Sequence, residues 1–488
     1  MRRTITIILL LGLAIGAGAQ RYSFTFRLDG CSDTMLYIGR YYRDAVTPVD
    51  SARLKGGAYL FSGKRQWERG MYALVRQDRK TVVNDFCIDG SMKFAISGDA
   101  KLAPSTVTVK GCKANAQMFD YIAVENAAKK EIDDIRKRLK DPATKAQAEA
   151  DEQALIARME AYEATALHPK NPNVFFDLQA ACDAGEVPDT VKDKATWYRR
   201  HYWDKLFSND ELGMMNDEQA GAHGHSSFIT HRSSLIHSPQ LFSKMNYFFY
   251  GLMYYADSDT INMEIDRLVE RFGGDTAMMR YVLQFIEPKY YRSTKNVGWD
   301  AVWCHIAKEY ILKGRCPWMR ESEVYLARKN YERISQSIIG AHGQELWMAD
   351  TNQSSDQRDW ISSHRFPTRY VILWFWDPDC HHCQEQSEEL KKIYDSLLTA
   401  PDRKFEVYAV GYESDVEKWK RYVREHDFKW VNVGGTNVNI DYQEAYNVHG
   451  APTMIILNER RDIIMNKVLP AKNLLQFLEN YEKRNKKK

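Results

Sequence analysis

Two cysteines stand two residues apart in WFWDPDCHHCQEQSEEL, a stretch that begins at Trp374. A C-x-x-C pair at the start of a helix puts both sulfurs on one face, with Cβ atoms roughly 5–6 Å apart, and modest adjustment then closes an S–S bond. Cys380 falls where unpaired backbone N–H groups and the helix dipole favour an anion, so its thiolate is the expected nucleophile. Cys383, one turn further in, is the expected resolving thiol. His381 and His382 fill the gap, and a protonated imidazole there favours the thiolate and makes the disulfide more oxidising. Asp377 and Asp379 oppose this by like charge, or cap the helix. A Cys380–Cys383 disulfide would itself be the redox group, with no separate cofactor. A structural disulfide and half of a metal site are the competing readings, and the lack of a second C-x-x-C weakens metal.

A second feature lies downstream in YNVHGAPTMIIL, from Tyr446 to Leu457. Pro452 comes immediately before an apolar run, and a proline inside a central strand would waste a ladder hydrogen bond, so it belongs at the strand start. A cis Ala451–Pro452 bond would make a bend whose backbone can pair with an incoming extended chain. A generic turn proline is the competing reading; taken with the strand before C-x-x-C, the loop Ala451, Pro452 and Thr453 favours redox chemistry and is a candidate for contact with an incoming chain.

WFWDPDCHHC, the tryptophan of VEKWKRY, and VHGAPT with the hairpin after it resemble a thioredoxin-fold domain of the exported, TlpA-like kind, over about residues 345 to 483. The resemblance implies that Cys380 attacks, Cys383 resolves and the loop at Pro452 touches the substrate. Protein thiols and disulfides would be the partners, together with a redox partner that resets the couple. Two departures concern the proton acceptor for Cys383. Trp374 stands where thioredoxin carries a buried acid, and Gln386 stands where many exported relatives place one; Glu385 or a water is the expected substitute.

Positioning this site requires an α/β sheet. YVILWFW is a continuous apolar run of the kind that forms a strand buried on both faces. Leu390, Ile393, Tyr394, Leu397 and Leu398 make an amphipathic helical stripe after it. FEVYAVG, a helix marked by Val416, Trp419 and Val423, the strands TMIILN and DIIMNKVL, and a last helix through Leu474 and Leu478 give β-α-β-α-β-β-α.

The chain upstream reads differently. From 20 to 112, short alternating runs such as YSFTFRL, with a hinge at Gly56-Gly57 in DSARLKGGAYLFSG, predict a small antiparallel β sandwich or barrel. From 113 to 340 the spacing is helical: two long helices split at Asp141-Pro142 and closed by His168-Pro169, then TINMEIDRLVERFGG with Ile261, Ile265, Leu268 and Val269 on one face. The β-rich stretch and the helical stretch, which includes HSPQLFSKMNYFFYGLM, resemble domains found before thioredoxin-like domains in exported Bacteroidota proteins. The redox domain is drawn at 341–488. His223, His225, His231 and His237 cluster in AHGHSSFITHRSSLIH, but without the i, i+4 pairing or the carboxylates of a metal site; a polar loop and helix start is expected.

The first residues, MRRTITIILLLGLAIGAGAQ, combine Arg2 and Arg3, a short apolar core and Ala17-Gly18-Ala19, the pattern of a secretory leader cleaved before Gln20 and of a periplasmic destination. Without residues 1–19 the charge is 66 basic minus 65 acidic residues, or +1, which argues against nucleic acid as a partner. No later segment is apolar enough to span a membrane. Six further cysteines, Cys31, Cys87, Cys112, Cys182, Cys304 and Cys316, read chiefly as buried free thiols, with a Cys304–Cys316 bridge the alternative pairing. The rival to an oxidoreductase is a binding or scaffold protein whose thioredoxin-like domain is vestigial or structural.

Overall fold

A computed structural model of the chain describes residues 20–166, 173–207, 232–272, 274–292, 297–398, 403–412, 415–467 and 469–485. The expected leader, His168-Pro169, and His223, His225 and His231 lie outside these residues. The chain divides into two compact units: Met1–Tyr254 with Asp275–Tyr281, and Tyr255–Gly274 with Val282–Lys488. Among the described residues, no helix is long and apolar enough to cross a membrane.

The first unit begins with eight strands: β1 (Gln20–Asp29), β2 (Met35–Tyr42), β3 (Ala45–Lys55), β4 (Ala58–Arg65), β5 (Gly70–Val75), β6 (Val82–Ile88), β7 (Lys93–Asp99) and β8 (Thr108–Lys110). They form one sheet in the order β6-β5-β2-β3-β4-β1-β7-β8. The pairing is antiparallel except for β1 and β7, which run parallel, a long-range pairing that strand alternation alone does not reveal. The sheet curls, because Phe86 of β6 meets Phe26 of β1 and Phe94 of β7 at ring separations of 5.2 and 6.0 Å. Gly56 and Gly57, at φ +59° and +73°, make the tight turn between β3 and β4 that their sequence announced.

Helices follow: α1 (Lys113–Arg138), α2 (Lys145–Ala166), α3 (Val174–Cys182), α4 (Lys194–His201), α5 (Arg232–Ile236) and α6 (Pro239–Tyr247). The break between α1 and α2 brackets Asp141-Pro142 as expected. Lys244, buried on α6, donates to the carbonyls of Cys182, Asp183 and Tyr202 at 3.2, 3.2 and 2.7 Å. His237 sits just before α6 and hydrogen-bonds the backbone carbonyl of Tyr41. Among the described residues, no group of three His, Cys, Asp or Glu side chains is arranged to hold a metal ion.

In the second unit, α7 (Ser258–Arg271) buries Ile261, Ile265, Leu268 and Val269, the stripe its sequence predicts. Next come α8 (Thr276–Arg292, whose first turns belong to the first unit), α9 (Trp299–Ile306) and α10 (Glu321–Ile334). The C-terminal part contains β9 (Trp347–Asp350), β10 (Ile361–Ser362), β11 (Tyr370–Trp376), α11 (His381–Leu397), β12 (Phe405–Gly411), α12 (Val416–Glu425), β13 (Val431–Val438), α13 (Tyr442–Tyr446), β14 (Thr453–Leu457), β15 (Ile463–Met465) and α14 (Leu474–Asn485). The sheet order is β10-β9-β13-β12-β11-β14-β15, with β11, β12 and β13 parallel. The β-α-β-α-β-β-α expectation lacked β13, β9, β10 and α13.

β11 is buried on both faces, as its apolar run required. Tyr370, Ile372, Trp374 and Trp376 face one core with Cys383, Leu390, Tyr394, Trp419 and Leu474. Val371, Leu373 and Phe375 face the other, with Ala445 and Tyr446 of α13. The period of two in a strand and the stripe on α11 thus lead to the same layered packing.

Candidate functional site

β11 ends at Trp376, and five residues later α11 begins. In between, the Cys380 N–H donates to the Asp377 carbonyl at 3.1 Å, and the Asp379 N–H donates to Asp377 Oδ1 at 2.8 Å. This turn delivers Cys380 to the N-cap of α11 in an extended conformation, φ −88° and ψ 108°. Its sulfur then does what a Ser or Asp oxygen does at a helix start, accepting the Cys383 backbone N–H at 3.2 Å. The aspartates do not cap α11, contrary to one of the options above; Cys380 itself does. Asp379 instead pairs with Lys418 of α12.

Cys380 is half-buried and Cys383 fully buried, and both are unbonded thiols. An anion at Cys380 Sγ would sit at the positive end of a helix of 17 residues and already has one N–H aimed at it. The Cys383 thiol is pushed up to about 12, by burial first and then by its hydrogen bond with Cys380. The Asp377 backbone N–H pulls it back down, and the charges of Cys380 and of the Asp377 carboxylate push it up again. One sulfur is therefore half-buried at a helix N-terminus with an N–H directed at it, while burial favours the protonated form of the other.

The bond between Ala451 and Pro452 is cis. The Ala451 carbonyl lies 3.8 Å from Cys380 Sγ, and Ala451 packs against the same core as Cys380. Thr453 opens β14, pairs with Phe375 on β11 and donates through Oγ1 to the Gly450 carbonyl at 2.8 Å. Cys380, Cys383 and the Ala451–Thr453 segment, far apart in sequence, are thus brought together. The two histidines are not part of that contact. His381 and His382 have side chains 85% and 59% exposed, and both reach the Glu385 carboxylate, at 3.3 and 3.4 Å.

Glu385, the residue expected to accept the Cys383 proton, and the two residues standing where relatives carry an acid are all engaged elsewhere. Glu385 faces the histidines on the surface. Gln386 accepts the Ala471 N–H at 2.9 Å, tying α11 to the turn before α14. Trp374 donates its indole N–H to Ser387 Oγ. The Asp377 carboxylate is the smallest of the influences that raise the Cys383 thiol, a like charge of the kind expected of this residue. Ser387 was missed, although it is a polar residue four positions past Cys383 on the buried face of an otherwise apolar stripe. A lone hydroxyl there signals a buried hydrogen bond.

Residues 368–463 match the model of a family described as thioredoxin-like. No curated protein matches the chain. Among solved structures, the chain is similar to a domain of a possible thiol-disulfide isomerase from Cytophaga hutchinsonii, at 29% identity over 31% of this chain and 97% of that one, TM-score 0.27. It is also similar to a thioredoxin-like protein from Bacteroides caccae, at 16% identity over 61% and 97%, TM-score 0.43. A third is the thioredoxin domain of a thiol-disulfide oxidoreductase from Bacteroides vulgatus, at 21% identity over 29% and 96%, TM-score 0.25. With β11, the C-x-x-C turn, α11 and the loop before β14 all inside the matched residues, 368–463 form a thioredoxin-like domain within a longer chain.

Proposed function

We propose that this protein exchanges disulfides with protein substrates through Cys380 and Cys383, in an exported, periplasmic setting. One observation carries the reading: a half-buried sulfur on a helix N-cap, with a fully buried sulfur one turn in and the Ala451 carbonyl beside it. The Cys380 thiolate attacks a substrate disulfide, forming a mixed disulfide and releasing one substrate thiolate. Cys383, once deprotonated, attacks the Cys380 sulfur; the second substrate thiolate leaves and the Cys380–Cys383 disulfide forms. Two electrons pass from the pair to the substrate, and the released thiolates take up the protons. A partner dithiol or disulfide resets the couple, and its potential decides whether the cycle reduces, oxidises or isomerises. The Ala451–Thr453 segment holds the substrate backbone, and the exposed His381 and His382 tune the couple.

The test is a Cys383→Ala variant of the full chain, which should trap a mixed disulfide that reductant releases, while the intact protein reduces insulin. Absence of both an adduct and insulin reduction, with a couple below about −300 mV, would make the bridge structural and favour a scaffold.

A further inference from the structure

Outside this site, the first unit brings two other cysteines onto a single side chain. Cys87 lies near the end of β6 and Cys112 is the N-cap of α1. Asn115, three residues into that helix, is wholly buried. Its carboxamide accepts the Cys87 N–H at 2.7 Å and donates to the Cys87 carbonyl at 2.8 Å, so it pairs with β6 as a neighbouring strand would. The same oxygen lies 3.3 Å from Cys87 Sγ, and the same nitrogen lies 3.2 Å from Cys112 Sγ. The two sulfurs therefore flank the two ends of one amide.

The backbone holds this arrangement from both sides. Gly111 precedes Cys112 at φ +81°, and a Cβ there would fall 2.7 Å from the Lys93 carbonyl oxygen, so only glycine lets the chain turn so closely past β7 into α1. On the next turn, Asn173 donates to the Ala114 carbonyl at 3.0 Å, fixing α1 against the start of α3. Neither sulfur carries a mechanistic task in the thioredoxin-like domain.

We propose that Cys87 and Cys112 form a second dithiol–disulfide pair, a redox-dependent covalent link between the β-rich sheet and the first helix. A disulfide needs Cα atoms about 4.4–6.8 Å apart; with both sulfurs on one carboxamide, rotation of the two side chains toward each other is the movement the link requires. Cys112, less deeply buried and on a helix N-cap, attacks a low-molecular-weight disulfide first and expels one small thiol. Cys87, whose thiol burial and the nearby Cys112 push up, then attacks the Cys112 sulfur and expels the second. One S–S bond forms and one breaks; two electrons and two protons end on the small thiols. The pairing does not depend on the chemistry at Cys380.

The test uses the full chain with Cys380→Ser and Cys383→Ser, which leaves six of the eight cysteines. The reduced protein is treated with oxidised glutathione, unfolded, alkylated, and digested without reductant. Four alkylated thiols and a linked peptide pair containing Cys87 and Cys112 are expected, together with a rise in Tm that reductant reverses. Six alkylated thiols, glutathione adducts in place of a link, or a link between other cysteines would overturn the proposal. A Cys87→Ser addition should restore a free Cys112; if that variant fails to fold, the peptide map of the parent protein still decides.

Discussion

Trp374 donates its indole N–H to Ser387 Oγ at 3.0 Å, and both side chains are buried. The bond joins β11, the strand that leads into the cysteine turn, to α11 one turn past Cys383. A neutral ring thus fills the place where thioredoxin carries an acid, and its one polar atom has a partner.

Ser387→Ala removes that partner and leaves a buried indole N–H unsatisfied. The expected loss is about 1–3 kcal/mol of stability, seen as a lower urea midpoint at unchanged slope. Because Ser387 does not touch Cys380, the alkylation rate of Cys380 in the folded protein should stay within twofold of the parent. An unchanged midpoint would show that the bond has no energetic role.

Asp377 sets a like charge against the Cys383 thiol, the effect its place in the cysteine turn led one to expect. Its carboxylate raises the thiol, while its backbone N–H lowers it. Asp377→Asn keeps the backbone contact and removes the charge, so the Cys383 pKa should fall. In a Cys380→Ser background, alkylation of Cys383 as a function of pH reads this directly: the midpoint should move to lower pH in the Asn variant. The same substitution should speed resolution of the mixed disulfide near neutral pH, since more of Cys383 is then thiolate. A midpoint that stays put or rises would remove Asp377 from the site.

Much of this site was legible because its signals are local. Seven consecutive apolar residues before a turn favour a short strand buried on both faces, and the stripe from Leu390 to Leu398 has the spacing of one helix face. β13 was not legible, for a packing reason. Its sequence VNVGGTNV lacks an apolar alternation because a large ring from elsewhere fills the space: Trp419 packs over Gly411 and Gly434, where added Cβ atoms would approach it to 3.0 and 3.4 Å. Asn432 is tolerated inside because the Trp430 and Phe428 carbonyls accept from its amide at 2.8 and 3.2 Å. The parallel pairing of β1 with β7 and the convergence of Cys87 and Cys112 on Asn115 are likewise long-range facts without a local pattern.

Asp85 gives the first unit a pH dependence of its own. Desolvation raises its carboxyl to about 6, against the hydrogen bond from Tyr41 at 2.5 Å, which lowers it. An acid raised in the folded state holds its proton more tightly there than in the unfolded chain. Its contribution is therefore complete below the ordinary value of 3.8 and is lost as pH climbs to about 6. Asp85→Asn should flatten the stability profile between those limits, and the difference between variant and parent in urea melts across that window isolates the group. A parallel pair of profiles would mean that Asp85 titrates as it does unfolded.

Arg333, at the end of α10, lies outside the residues that match the thioredoxin-like family and yet reaches the loop beside Cys380. Its Nη1 is 2.7 Å from His449 Nε2, and it also hydrogen-bonds the Asn447 carboxamide oxygen. Two residues after His449 comes Ala451, whose carbonyl faces Cys380 Sγ. Arg333→Ala should leave the reaction of Cys380 with a small alkylating agent unchanged, because the N-cap geometry that supports the thiolate is intact. Its reaction with a protein disulfide should slow, by up to about 100-fold if the loop shifts by an ångström, since that substrate must be positioned against Ala451. The ratio of the two rates separates a loop that positions substrate from a general loss of fold, in which both would fall together.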